Sequence, residues 1–363
     1  MYKFFLNNFY FFKLNILEVP WRMVIFICII LLAFIPLIAN DYILRIFTFA
    51  CLFAIYAASW DILGGYMGQL NMGHAAFFGV GAYITALCNV NLGLIPFISV
   101  LLGSLFAVAT GLIVCLPALR LRGFYLALVT LAFPIVLNGV VMIFPNLTGG
   151  EMGISGLSRF ADTPIDNFYL LFTIMLISVF TMWKFTDVQS RFIRTGVIMR
   201  AIREDEITAR TSGINTTLYK VFAFAMSAFF AGLSGAIYAH MIRVAGPSSL
   251  SLTLSFNPIV WSIFGGISTI YGPVIGVFII YPLIELLRLH AIGEQIRILI
   301  QALILIIVLL FMPMGLTTWI RDNIEVTCLR CKAINIFIKK SCRICGANLH
   351  LEKQEVRYHR TIS

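Results

Sequence analysis

The chain has 363 residues, of which 60% are apolar and only 12% charged, with a mean hydropathy of +0.96 and a net charge of +10. A water-soluble domain carries about 25% charged residues, so too little polar surface exists here to cover a soluble globule, and lipid is the expected solvent. The basic excess is half in the last segment, 320–363, which holds nine Lys/Arg against four Asp/Glu; no basic stripe with interleaved aromatics runs along a soluble domain, so nucleic acid is not an expected partner.

The pattern predicts an all-α polytopic membrane protein with three parts: an interfacial, cytoplasmic N-terminal segment over 1–22, a transmembrane domain over 23–319 and a cytoplasmic tail over 320–363. Residues 1–22 are rich in aromatics and carry Lys3, Lys13 and Arg22 without a signal-peptide pattern, as expected for an amphipathic segment on the membrane surface. A spanning helix needs about 20 apolar residues. Candidate spans follow at 23–39, 42–63, 74–90, 94–117, 124–144, 168–183 and 218–241, with a last one at 298–311. The apolar run 256–287 is too long for one span and is interrupted by Gly265-Gly266 and Tyr271-Gly272-Pro273, so it reads as two short helices joined near 268–272. That makes ten spans.

Charge supports this count. With both termini in the cytoplasm, Arg120 and Arg122, the stretch 184–220 and the basic tail all fall inside, while Asn40-Asp41, 89–93 and 145–167 fall outside, as the positive-inside rule requires. Nine spans would put the basic tail outside.

The stretch 184–220 is the one long polar segment between apolar walls. A surface helix is predicted around 195–212, with Thr195 as N-cap, Val197, Ile198, Ala201 and Ile202 as its apolar patch, Glu206 and Arg210 as an i,i+4 pair, Gly213 as the C-terminal stop and Asn215 or Thr216 capping the next span. Its charges, Arg200, Arg203, Glu204, Asp205, Glu206 and Arg210, are mixed in sign. Anionic lipid would want basic residues alone, so a protein partner is expected. The interior offers few charges for ion coupling. Asp61, Glu285 and Arg288 read as interfacial anchors, and His74 and His240 as interfacial or hydrogen-bonded histidines. Energy for transport would then come from outside the chain. A secondary transporter or channel is the runner-up, lacking a visible ion site. Neither an HExxH run nor paired intramembrane aspartates argue for an enzyme.

Several segments carry a resemblance: G-Q-L-N-M-G-H-A-A-F-F-G-V-G-A-Y at 68–83, L-R-L-R-G-F-Y-L-A-L-V-T-L-A-F at 119–133, L-T-G-G-E-M-G-I-S-G at 147–156, R-A-I-R-E-D-E-I-T-A-R-T-S-G-I-N at 200–215 and G-G-I-S-T-I-Y-G-P-V-I-G at 265–276. In this order they resemble the permease subunits of branched-chain amino acid ABC importers, from about residue 50 to about residue 321. The resemblance implies a type II ABC importer permease fold in a prokaryotic plasma (inner) membrane. It implies a homologous second permease, most simply as a heterodimer, two cytoplasmic ATPase subunits and an extracytoplasmic binding protein. It carries an ATPase-coupling role to Arg200, Ala201, Glu204, Asp205, Glu206 and Gly213. Family-signature positions bordering a translocation path would be Gly68, Gln69, Asn71, Gly73, His74, Gly79, Gly265, Gly266 and Gly272. Asn71-Met72 stands where Ser-Leu is usual, and Ser268 where Gly is common. Related permeases for urea have a different 68–83 motif, which favours amino acids over urea and leaves urea, amides or other small solutes as the alternative substrate class. The chain itself has no GxxxxGK[ST] run to bind nucleotide.

The cysteines divide. Cys28, Cys51, Cys88 and Cys115 are isolated in apolar runs, whereas Cys328-x-x-Cys331 and Cys342-x-x-Cys345 are two CxxC pairs ten residues apart. Four thiolates so spaced suit one tetrahedral Zn²⁺, and the alternating apolar residues between the pairs suit a strand. A small zinc-ribbon-like tail is expected, outside the family pattern.

Overall fold

Asp41 opens α1 (Asp41–Asp61), the helix around which the larger unit of the chain is arranged. The structure, a computed structural model, describes residues 29–37, 39–121, 123–187, 194–289, 293–312, 315–328 and 334–336. The larger unit covers 39–316, and a smaller one joins 1–38 to 317–363.

In the larger unit α1 continues into a π-helical turn, Ile62–Tyr66. It is followed by α2 (Ala75–Val90), α3 (Pro96–Ala118), α4 (Phe124–Ile143), α5 (Pro164–Thr186), α6 (Thr195–Glu204), α7 (Glu206–Thr211), α8 (Thr216–Ile242), α9 (Leu252–Gly265), α10 (Tyr271–Leu289) and α11 (Glu294–Phe311). Among the described residues six helices are long and apolar enough to cross a membrane, Asp41–Tyr66, Pro96–Pro117, Phe124–Ile143, Pro164–Thr186, Thr216–Ile242 and Tyr271–Arg288. Three shorter apolar helices, Ala75–Val90, Leu252–Gly265 and Leu299–Val308, accompany them. The run 256–287 is broken as expected, between α9 and α10. Of the expected span 23–39 only 29–37 and 39 are described, and 29–37 are helical. The segment 1–22 lies outside the described residues.

Local chemistry explains the boundaries. Pro96 and Pro164 stand at the first helical position, where a missing N–H costs nothing. Asn215 Oδ1 accepts the Leu218 N–H at 3.1 Å to cap α8, as read from the sequence. α8 stops at Arg243, a non-glycine residue with φ +64°. Beyond it β2 (Val244–Ala245) pairs antiparallel with β1 (Ile154–Ser155), Ile154 opposite Ala245, and so ties the loop before α5 to the end of α8.

α1 is buried along almost its whole length, packed by α5, α8, α9 and α10. α4, α5 and α10 keep most of their surface outward, as helices facing lipid or a partner must. In lipid the helices cannot be driven together by hydrophobic burial, so close backbone approach matters. α8 provides it: a Cβ on Gly232 would run into Ala107 of α3, and one on Gly235 into the Phe78 carbonyl of α2.

α12 (Leu316–Ile324) starts at the last residue of the larger unit, and the smaller unit contains the rest of it with β3 (Glu325–Thr327) and β4 (Ile334–Ile336). β3 and β4 pair antiparallel with Thr327 opposite Ile334.

Gly232→Leu should abolish folded, monodisperse protein in detergent, since overpacking a tight contact costs about 1–3 kcal/mol or more. Gly139→Ala, with open space around the added Cβ, should leave thermal unfolding unchanged or slightly raised in the same size-exclusion and melting assay.

Candidate functional site: a helix pair at the end of the bundle

The polar stretch folds as two helices, which corrects the expectation of one helix over 195–212. α6 ends at Glu204 and α7 begins at Glu206; Asp205 between them is extended, with φ −154°. Its Oδ1 accepts the N–H groups of Ile207 at 2.8 Å and Thr208 at 3.3 Å, so the aspartate is the N-cap of α7. Thr195 does not cap α6 either; it is the first helical residue, and its hydroxyl donates to the Phe185 carbonyl. The apolar face is shifted from the expected one. Gly196, Met199 and Ile202 are buried, whereas Val197 is exposed. Gly213 behaves as expected: at φ +83° it stops α7, and its N–H donates to the Arg210 carbonyl at 3.0 Å.

The acidic run Glu204-Asp205-Glu206 therefore splits into three roles. Glu204 is exposed. Asp205 caps. Glu206 turns inward, where its Oε1 meets the Lys220 ammonium at 2.8 Å, with side-chain exposures of 9% and 2%. Arg210 reaches the same oxygen at 3.4 Å, the expected i,i+4 pair. Lys220 had no assigned role from sequence, although a lysine inside an apolar helix needs a partner. Ala201, half-buried, accepts the Asp205 N–H at 3.1 Å and so closes the last turn of α6. Ile207, also unremarked in the sequence, leaves 64% of its surface exposed on α7.

α6 is held to the bundle on its other side by two arginines. Arg203 Nη1 donates to the Gly65 carbonyl at 2.6 Å and also to Ser268 Oγ. Arg200 Nη2 donates to the Ser268 carbonyl at 3.2 Å, its guanidinium 5.3 Å from the centre of the Tyr66 ring.

The 68–83 positions lie beside α1. Gly68 sits at φ +69° against the Arg203 side chain. The Gln69 N–H donates to Leu63 O at 2.8 Å. Asn71 is buried; its Oδ1 takes the Gly73 N–H at 2.9 Å and its carbonyl takes Trp60 Nε1 at 2.7 Å. His74 Nε2 lies 2.9 Å from Ser59 Oγ. Ser59 gives its one hydroxyl proton to the Tyr56 carbonyl at 2.7 Å, so Nε2–H donates and Nδ1 is left to accept from Asn71 Nδ2 at 3.4 Å. A neutral, hydrogen-bonded histidine results, as expected. Gly73 packs on the Thr130 carbonyl of α4, and Gly79 on Leu250. Gly265, Gly266 and Gly272 frame the break at 266–270, where the backbones of Gly265 and Gly272 approach too closely for a side chain.

Asp61 corrects the sequence reading. It is no interfacial anchor but fully buried, its Oδ1 accepting the Ser268 N–H at 2.9 Å. Glu285 and Arg288, three residues apart, form an ion pair at 2.9 Å. His240 is hydrogen-bonded at both ring nitrogens, Nδ1 donating to Ser158 O at 2.8 Å and Nε2 lying 3.0 Å from Ser99 Oγ.

At the opposite end of α1 and α8, roughly 40 Å along the 27 residues of α8, lies a cavity of about 430 Å³ whose lining includes Asp41, Arg45, Arg159, Asp162 and Arg243. In the smaller unit Cys328 follows β3 directly and is buried, whereas Cys331, Cys342 and Cys345 lie outside the described residues.

Removing one partner of a buried ion pair costs about 3–5 kcal/mol. Glu206→Ala strands Lys220, while Lys220→Met leaves Glu206 with Arg210. Thermal melts in detergent should therefore fall further for Glu206→Ala than for Lys220→Met.

Residues 42–310 match the family described as branched-chain amino acid transport system / permease component. The high-affinity branched-chain amino acid transport system permease protein LivM of Escherichia coli is 27% identical over 319 residues, 80% of this chain and 73% of that protein. The LivM of Salmonella typhimurium is 26% identical over 307 residues, 77% of this chain and 71% of its own length. LivH of Escherichia coli is 23% identical over 286 residues, 74% of this chain and 92% of that protein. No solved structure matches. The chain belongs to the branched-chain amino acid transport system permease family.

Proposed function

We propose that this protein is one permease half of an ATP-driven importer of branched-chain amino acids, and that α6 and α7 are the element on which an ATPase subunit acts. The observation that carries this reading is the build of the helix pair. It offers an exposed surface of mixed chemistry, Glu204 and Ile207 among it, yet is anchored to α8 by Glu206–Lys220 and to the end of α1 by Arg203. A solvated loop would need neither anchor. A partner that pushes on the pair would move the bundle with it, which is what alternating access driven by nucleotide closure requires. LivM and LivH relatives in one family favour pairing with a second, homologous permease.

The proposed topology is ten spans with both termini in the cytoplasm of a prokaryotic inner membrane. α6 and α7 then face the cytoplasm, and the charged cavity at the far end of α8 faces outward. Its arginines and aspartates suit delivery of a zwitterionic amino acid by an extracytoplasmic binding protein. The tail is proposed to hold one Zn²⁺ through Cys328, Cys331, Cys342 and Cys345. The β3–β4 pairing supports this, because strands begin and end on either side of the first CxxC, as in a zinc ribbon. In the cytoplasm, disulfides would not persist.

Two outcomes test these readings. Glu204→Arg combined with Ile207→Asp should reduce co-purification of the ATPase subunits, and uptake of labelled leucine, isoleucine and valine, by about tenfold, the loss expected of a contact hot spot; unaltered association and uptake would remove the assignment. Full-length protein purified without added metal should contain about one zinc per chain, lost in Cys328→Ser and in Cys342→Ser; a metal-free wild type would refute zinc binding.

A further inference from the structure

Residues far apart in the sequence converge on the break between α9 and α10. From the interior, buried Asp61 takes the Ser268 N–H on Oδ1. From the helix pair, Arg200 holds the Ser268 carbonyl and Arg203 holds both Ser268 Oγ and the Gly65 carbonyl. Ser268 Oγ in turn donates to Gly65 O at 2.9 Å, so a π-helical turn, a helix break and a surface helix share one hydrogen-bonded node.

Two details make the node conditional. Ser268 sits at φ +64°, a conformation disfavoured for any residue with a side chain. Asp61 Oδ2 is buried and completes no hydrogen bond among the described residues, with the Thr269 backbone N–H of the break also directed at the carboxyl, so a resetting of the break is one way to complete its bonding. The break itself is flanked by Gly265, Gly266 and Gly272, which lets the backbone reset. A strained, incompletely bonded loop held from one side by two arginines has the build of a two-position element.

We propose that Asp61, Ser268, Arg200 and Arg203 form the relay that passes movement of α6 to the break between α9 and α10, and through it to the substrate path. Arg200 and Arg203 act as positioning residues that grip the break, and Asp61 is the fixed point on α1. This rests on the reading of α6 and α7 as the ATPase-coupling element. The proposal concerns what happens after contact with the ATPase.

The test uses the full importer complex in lipid nanodiscs or proteoliposomes, with three readouts: ATPase subunits retained, ATP hydrolysed and amino acid taken up per ATP. Arg200→Gln with Arg203→Gln should retain the ATPase subunits and still hydrolyse ATP. Uptake per ATP should fall by about tenfold, within the usual range for a coupling interaction. Arg203→Lys, which keeps a cationic donor nitrogen for the Gly65 carbonyl and Ser268 Oγ, both held through Nη1 of Arg203, should recover part of the ratio. Asp61→Asn, which keeps the acceptor for the Ser268 N–H, should be milder than Asp61→Ala. Unchanged uptake per ATP in the double arginine variant overturns the relay. Loss of the ATPase subunits in that variant also overturns it, by making the arginines docking contacts, and leaves the importer reading standing. Failure of the wild-type chain to retain ATPases would instead sink the importer reading itself.

Discussion

Every peptide N–H and C=O that enters lipid must find its partner inside the protein. This one requirement organises the molecule. Helices meet it by themselves, and over most of the larger unit the chain is simply helical. Where α1 changes to a π-helical turn, and where α9 ends before α10 begins, the ladder is interrupted, and polar side chains take over. The Gly65 carbonyl receives Arg203 and Ser268, and the Ser268 N–H receives Asp61. The Asn71 carbonyl receives Trp60 Nε1. Buried polar residues thus collect where the helices break, and those breaks are also where a bundle can bend.

The same requirement explains the character of the helix pair. α6 and α7 are short and about half polar, and of their apolar side chains only Met199, Ile202 and Ala209 are buried. Their attachment depends on a few directed bonds: the Glu206–Lys220 ion pair, the two arginines and the Thr195 hydroxyl on Phe185 O. A buried ion pair is a poor source of net stability, but it fixes register, because only one rotation of α7 brings Glu206 to Lys220. A rigid attachment of this kind suits an element that must transmit displacement and would be superfluous in a passive loop.

Sequence patterning found the helices because periodicity and apolar run length are local properties. The break near 268–272 was legible from Gly265-Gly266 and Tyr271-Gly272-Pro273, residues that disfavour a continuous helix. The break at Asp205 was not. Six charged and polar neighbours hide the difference between an aspartate inside a helix and one that caps the next, a difference set by its backbone angle. Asp61 was misread for a related reason. At the end of an apolar run an aspartate is ordinarily solvated, and only the return of the chain 207 residues later, with the Ser268 N–H, makes a buried position tenable.

The amino-acid sequence by itself determined that the solvent is lipid, where most spans begin and end, which segment is polar and which known permeases the chain resembles, because each of these follows from composition, run length or local order. Tertiary structure alone decided which charges point outward and which are internal. Glu204 and Glu206 are two residues apart and chemically alike, yet one is exposed while the other is buried on Lys220. The physical reason is that an ionised carboxylate stays buried only where a cation or N–H donor meets it, and such partners are supplied by helices that the local sequence does not name.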